Sequence, residues 1–161
     1  MLKDTLAKKI PDWQNEIRSI LKDKGNAVIS EVTVAQAYGG MRGVKGLTCE
    51  TSAVSADDGL IIRGYPLLDI TQISPEEVFY LLLTGDIPND EAIKDVQDQF
   101  RSHQDVPVYI WDILEAMPKN SHPMTMLTSA IQAMQVDSQF VKHYGEGMPK
   151  SDFWKWTLKD G

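Results

Sequence analysis

Proline and glycine divide this chain more sharply than hydrophobicity does. From residue 74 onward, prolines stand at positions 75, 88, 107, 118, 123 and 149. The apolar residues between them recur at spacings of three and four. Proline is at home in the first turn of a helix and blocks one further in. The second half is therefore restricted to a series of short helices. Ser74-Pro75-Glu76-Glu77 reads as cap, first-turn proline and capping-box glutamate. Val78 to Leu83 is apolar nearly all round, which predicts a buried helix ended by Gly85, with Pro88 blocking continuation. Asn89 is placed to cap the next helix, which buries Ile93, Val96 and Phe100. Pro107 opens a third carrying Ile110, Trp111, Leu114 and Met117, and Pro118 stops it. Pro123 opens a fourth with Leu127, Ala130, Ile131 and Met134 inward, and Ser151 is placed to cap a fifth containing Trp154 and Leu158. Short links between these segments predict helices folded back on one another. Met117, Met124, Met126 and Met134 fit either a core or a helix–helix interface with another subunit.

The first half is less uniform. Leu2, Leu6, Ile10, Trp13, Ile17, Ile20 and Leu21 form one face of a long amphipathic helix. Pro11 is expected to kink or split it, and Gly25-Asn26 to close it with a left-handed residue. Alternation around Ala27–Ile29 favours a strand, while Thr33 is placed to cap a short helix running to Tyr38. Asp57-Asp58-Gly59 between two β-prone runs signals a hairpin, giving one small antiparallel ribbon and no larger sheet.

With 161 residues, 42% of them apolar, the chain can bury a core. The net charge of −7 argues against nucleic-acid binding by a basic surface. That charge is unevenly spread: residues 1–48 carry eight cations against five anions, and residues 49–100 carry two against eleven. An anionic ligand is therefore expected at the first or last third of the chain. No apolar run approaches the ~20 residues that span a bilayer, and the first residues show neither a signal-peptide core nor an Arg/Ser-rich transit segment. A single cysteine, Cys49, excludes an internal disulfide and fits a reducing compartment.

The stretch Tyr38-Gly39-Gly40-Met41-Arg42-Gly43-Val44-Lys45-Gly46 holds four glycines and two cations. Such glycine density marks a sharp bend or a close approach. Arg42 and Lys45 point to an anion, and the planar fork of Arg42 suits a phosphate or carboxylate best. The stretch lacks the Lys-Ser/Thr ending of a P-loop and the spacing of a dinucleotide fingerprint. Lys142 and Lys150 flank Gly145-Glu146-Gly147 near the start of the last helix, where free backbone N–H groups favour an anion. Among the histidines, His103 is expected exposed, His122 to help cap the helix opened by Pro123, and His143 to lie solvated on a polar face. None has a metal-ligand neighbour at helical spacing, and no carboxylate pair stands out as an acid/base couple.

The motifs also form an ordered string. Gly39 to Leu47, then Glu50-Thr51-Ser52, Arg63-Gly64-Tyr65, Leu81-Leu82-Leu83-Thr84-Gly85 with Ile87-Pro88, His122-Pro123-Met124 and Tyr144-Gly145-Glu146-Gly147 closely resemble the N-terminal portion of citrate synthase of the eukaryotic mitochondrial type. The resemblance spans essentially the whole chain. It implies that residues 1–161 are an incomplete N-terminal portion of that domain, mainly α with one small antiparallel β-ribbon. It further implies a homodimeric acyltransferase of the tricarboxylic acid cycle in the mitochondrial matrix, condensing acetyl-CoA with oxaloacetate to citrate and CoA. No metal and no permanently bound cofactor is implied; acetyl-CoA and CoA are substrate and product. The family's catalytic histidines, aspartate and oxaloacetate-binding arginines lie in its later part, so no catalytic residue maps here. Arg42 matches a CoA-phosphate arginine. Lys150 stands where many relatives place another CoA-contacting arginine, keeping the charge and losing the fork. The helices at 107–117 and 122–136 match part of the dimer interface. The chain alone is expected to be inactive. The resemblance leaves two alternatives: a fragment of 2-methylcitrate synthase, or a non-catalytic, citrate-synthase-derived assembly subunit.

Overall fold

In the computed structural model, which describes residues 1–160, the chain divides into two units, Met1–Arg101 and a second beginning at Ser102. The first starts with α1 (Leu2–Lys24). Its apolar face is buried only at the start: Leu2 and Leu6 are covered, whereas Ile17, Ile20 and Leu21 are 47%, 52% and 62% exposed. The helix runs unbroken through Pro11, so the expected split does not occur. Pro11 and the residue four before it, Ala7, are both exposed, which lets water serve the carbonyl that proline cannot.

Two expectations just after α1 are corrected. Gly25 ends the helix in a right-handed conformation (φ −59°), not a left-handed one. Space accounts for the glycine instead: a Cβ there would meet the Leu21 carbonyl oxygen at 2.4 Å. Ala27–Ile29 forms no strand, because no second chain segment pairs with its backbone. The alternative at Thr33 is the one adopted. Thr33 caps α2 (Val34–Tyr38) through a capping box with Gln36.

The hairpin forms as β1 (Ser52–Ser55) and β2 (Gly59–Ile62), antiparallel with Ser55 opposite Gly59. Ser55 Oγ donates to Asp58 Oδ2 at 2.9 Å and accepts from the Asp58 N–H at 2.8 Å, closing the turn. A third strand, β3 (Tyr65–Pro66), pairs antiparallel with β2, so the ribbon is a three-stranded sheet. Its turn is Arg63-Gly64, both at positive φ (48° and 87°), the backbone that suits a two-residue hairpin.

The core of this unit lies on α3 (Pro75–Thr84). Leu81 and Thr84 are wholly buried and Tyr80 nearly so, while Val78, Phe79, Leu82 and Leu83 are half-buried. The start is the expected capping box of Ser74 and Glu77, with Pro75 in the first turn. The end is Gly85 at φ 80°, the left-handed cap that glycine favours. Helix α4 (Asp90–Ser102) is capped by Asn89, whose Oδ1 accepts the Ala92 N–H at 2.9 Å. It buries Ala92 and Val96, and sets Phe100 edge-on to Phe79 at 5.1 Å. Asp95 on α4 accepts the Leu2 N–H at 3.1 Å, tying the start of α1 to α4.

Helix α3 has no basic residue in its last turn. Two cations reach that end from elsewhere. Lys9 Nζ donates to the Thr84 carbonyl at 2.9 Å and pairs with Asp86 at 2.5 Å. Arg63 Nε donates to the Leu82 carbonyl at 2.9 Å while its guanidinium lies 5.7 Å from the Trp13 ring centre. The last carbonyls of a helix lack intrahelical partners and carry its negative end, so cations there stabilise it.

In the second unit, α5 (Val108–Ala116) packs on α6 (Pro123–Ala133), burying Ile110 and Ala130. His122 caps α6 as expected, its Nδ1 accepting the Met124 N–H at 3.1 Å. The chain then forms α7 (Gln139–Gly145) and α8 (Phe153–Asp160), packed together through Phe140, Tyr144 and Phe153. Ser151 does not cap α8; it sits inside a 3-10 turn, Lys150–Asp152, that leads into the helix. Ser138 is the serine that caps, at the start of α7. His143 is not solvated as expected. Its ring stacks on Trp156 with centres 3.6 Å apart, and its Nδ1 lies 3.1 Å from Glu146.

Candidate functional site

The glycine stretch is a turn whose backbone is fixed at several points. Helix α2 ends at Gly39, whose N–H reaches the Ala35 carbonyl at 2.8 Å. The chain then reverses through Gly40 (φ 77°), Met41 (φ 62°) and Gly43 (φ 73°). Three of four consecutive residues therefore occupy a region that L-side chains resist, and two of them are glycine. Met41 N–H donates to the Gln36 carbonyl at 2.8 Å, and Val44 N–H to the Met41 carbonyl at 3.2 Å. The Gln36 side chain adds a third tie: Nε2 donates to the Arg42 carbonyl at 3.3 Å. Lys45 N–H reaches Ser30 Oγ at 3.4 Å.

Arg42 and Lys45 are both exposed. Among the described residues neither side chain forms an ion pair or hydrogen bond. An anchored backbone thus presents two cations whose charge no carboxylate of the described chain consumes. That is the arrangement a phosphate needs, since attraction to an anion is lost when a cation is already paired.

Lys150, the other expected anion contact, lies exposed at the start of the 3-10 turn before α8. The bend ahead of it is built by Gly147 (φ 86°), whose N–H reaches the Tyr144 carbonyl at 3.1 Å, and by Met148 N–H on the His143 carbonyl at 3.0 Å. Lys142 is exposed on α7. Arg42 and Lys150 fall in different units.

Proton-transfer chemistry finds less to work with. His103 Nδ1 is 2.8 Å from Ser102 Oγ, His122 is occupied as a cap, and His143 is stacked and paired. Cys49 is exposed, with Sγ 3.3 Å from Thr51 Oγ1. The Thr51 hydroxyl, followed by hydrogen bonds from the Ser52 and Thr51 backbone, pulls its thiol down to about 7. Its hydrogen-bond partners are Thr51 and Ser52, not a histidine, and among the described residues no group of three or more His, Cys, Asp or Glu is placed to hold a metal ion.

A family model described as "Citrate synthase, C-terminal domain" matches residues 40–158, most of the chain. The chain belongs to the citrate synthase family. It is 37% identical over 169 positions to the mitochondrial 2-methylcitrate synthase of Yarrowia lipolytica. It is 36% identical to the mitochondrial citrate synthase of Saccharomyces cerevisiae and 34% to that of Aspergillus niger. Each comparison covers 99% of this chain, but only 36%, 35% and 36% of the respective relatives. The chain thus spans about a third of the length of the curated relatives it matches. The citrate synthase match takes in the mainly helical fold with its small sheet, and it begins inside the glycine turn, so Arg42, Lys45 and Lys150 all fall within it. Gln36 lies just outside. Its tie to Arg42 went unread in the sequence, although Thr-x-x-Gln is a capping-box pattern that marks the residue. The hold of Arg63 on Leu82 has no local signal at all.

Proposed function

We propose that this chain is the N-terminal part of a mitochondrial-matrix citrate synthase, which condenses acetyl-CoA with oxaloacetate to give citrate and CoA. The family match over residues 40–158 carries the citrate synthase reading, the order of the motifs from Gly39 to Gly147 supports the N-terminal position, and the two relatives named mitochondrial citrate synthase support the location. Arg42 contacts a CoA phosphate. Its unpaired guanidinium on an anchored turn supports this, because the planar fork binds two phosphate oxygens together. Lys150 is a second, point-charge contact. The chain also supplies dimer surface through α5 and α6, where Val108, Trp111, Met124, Leu127 and Ile131 are each at least half exposed. An apolar patch rimmed by polar residues is what a subunit interface offers. The groups that move protons come from the remainder of the enzyme, and this chain alone releases no CoA from acetyl-CoA and oxaloacetate.

In the full-length protein, Arg42→Ala raises the KM for acetyl-CoA, by a loss on the order of 1–3 kcal/mol, as for a charge-assisted hydrogen bond. Lys150→Ala does the same more weakly. Steady-state release of free thiol reads both, and an acetyl-CoA KM unchanged in Arg42→Ala overturns the phosphate assignment.

A second reading has a specific observation behind it. Identity to the 2-methylcitrate synthase is as high as to the citrate synthases. Turnover of acetyl-CoA against propionyl-CoA by the full-length protein decides between them.

A further inference from the structure

Gln36 joins two structures that are otherwise adjacent only in sequence. Its Oε1 accepts from the Thr33 N–H at 3.0 Å and the Thr33 hydroxyl at 3.2 Å, completing the capping box of α2. Its Nε2 donates at 3.3 Å to the Arg42 carbonyl. Its own backbone carbonyl accepts the Met41 N–H at 2.8 Å. One residue thus fixes both the start of α2 and the backbone on either side of the Met41–Arg42 peptide. That peptide needs fixing. Met41 stands at φ 62°, between Gly40 and, two residues on, Gly43, and those glycines leave the alternative backbones open.

We infer that Gln36 is a positioning residue for Arg42, holding the turn so that the guanidinium meets a phosphate of the acyl-CoA without first having to be ordered. This rests on the assignment of Arg42 to a CoA phosphate. A cation on a loose glycine turn loses conformational freedom on binding and binds more weakly for it; a pre-set turn avoids that loss. Gln36 touches no substrate, so its effect falls on acyl-CoA binding and leaves oxaloacetate and the chemical step alone.

The two halves of the Gln36 amide separate in the test. Gln36→Glu keeps an acceptor for Thr33, since glutamate is a natural capping-box partner, but cannot donate to the Arg42 carbonyl. Gln36→Met removes both bonds and adds no charge. In the full-length protein, both variants raise the KM for acetyl-CoA by about threefold or more, with kcat and the oxaloacetate KM within about twofold of wild type. Amide exchange adds a direct readout: Met41 and Val44 lose protection in both variants, and α2 keeps its protection in Gln36→Glu. The inference is overturned if both variants keep the wild-type acetyl-CoA KM while Arg42→Ala raises it; the phosphate assignment then survives without Gln36. It is equally overturned if only Gln36→Glu has an effect, which is added charge, or if all kinetic constants fall together, which is general damage. If Arg42→Ala changes nothing, the phosphate assignment fails first and Gln36 has no cation to position.

Discussion

The end of α3 offers a sharp test, because its stabilising charges come from outside the helix. Replacing Arg63 with methionine keeps the apolar stem and removes the guanidinium. Besides a long, exposed Nη1 bond to the Glu50 carbonyl at 3.4 Å, three contributions go with it. The Nε bond to the Leu82 carbonyl, at 2.9 Å and half-buried, is charge-assisted and worth about 1.5 kcal/mol at the lower end of its range. A cation at a helix C-terminus adds about 0.3–1 kcal/mol. The guanidinium over Trp13 at 5.7 Å adds roughly 0.5–1 kcal/mol. These terms share one charge, so the expected loss is about 2–3 kcal/mol, less than the largest sum. The backbone at residue 63 sits at φ 48°. Methionine meets the same left-handed cost as arginine there, so strain cancels in the comparison. Urea unfolding followed by far-UV circular dichroism measures the difference. In a unit of this size the melting temperature drops by about 4–8 °C per kcal/mol. Arg63→Lys retains the charge without the directed Nε bond and should lose about half as much. Lys9→Met in the same background tests whether the two cations serve one helix end. Like charges repel, so each is worth more once the other is gone, and the double variant should lose more than the two singles combined. A loss under about 0.5 kcal/mol for Arg63→Met would place the residue among ordinary surface charges and refute the capping argument.

Thr84 is wholly buried, donating from Oγ1 to the Tyr80 carbonyl at 2.8 Å and accepting the Asp86 N–H at 3.2 Å. Thr84→Val keeps the shape and leaves that N–H without its acceptor, costing about 1–3 kcal/mol in urea unfolding, whereas Thr84→Ser keeps the hydroxyl and should lose less. Asp160 accepts from Ser138 Oγ at 2.6 Å and from the Phe140 and Gln139 N–H groups at 2.9 and 3.0 Å, capping α7. Burial alone would raise its carboxyl, but these bonds outweigh it and hold the group below the ordinary carboxylate value. A depressed carboxyl stabilises the fold above its unfolded value, and that stability is lost as pH falls through the folded one. Asp160→Ala should therefore cost about 1 kcal/mol near neutrality, with the gap to wild type closing in acid, as unfolding at a series of pH values would show. Cys49, pulled down to about 7 chiefly by the Thr51 hydroxyl, should alkylate with iodoacetamide at half its maximal rate near that pH. Thr51→Val should move the midpoint upward, and an unmoved midpoint would remove Thr51 as the cause.

What the sequence showed well was the ends of elements. Ser74, Glu77, Asn89 and His122 by their side chains, and Gly85 by its left-handed backbone, all stand where local chemistry places them, because a cap is satisfied within a few residues of itself. Faces were harder. Ile17, Ile20 and Leu21 carry the same periodicity as Leu2 and Leu6, yet only the latter are covered, since periodicity marks a face without supplying its partner. The alternation at Ala27–Ile29 failed for the same reason: a strand exists only in a ladder. The cap expected at Ser151 does not form, and Ser138, which caps α7, shows where local chemistry stops, for it also donates to Asp160, 22 residues along the chain, and no pattern of spacing announces that. The candidate site divides along the same line. Arg42 and Lys45 were legible as cations on a glycine turn, because glycine and charge act where they stand. The bond that fixes the turn joins Gln36 to a carbonyl six residues away. A glycine turn with unpaired cations specifies the sign of its ligand but not its identity, because any phosphate meets the same fork. The proposed citrate synthase function takes that ligand to be a CoA thioester. The difference between an acetyl and a propionyl group lies at the other end of that molecule, beyond the reach of anything Arg42 touches.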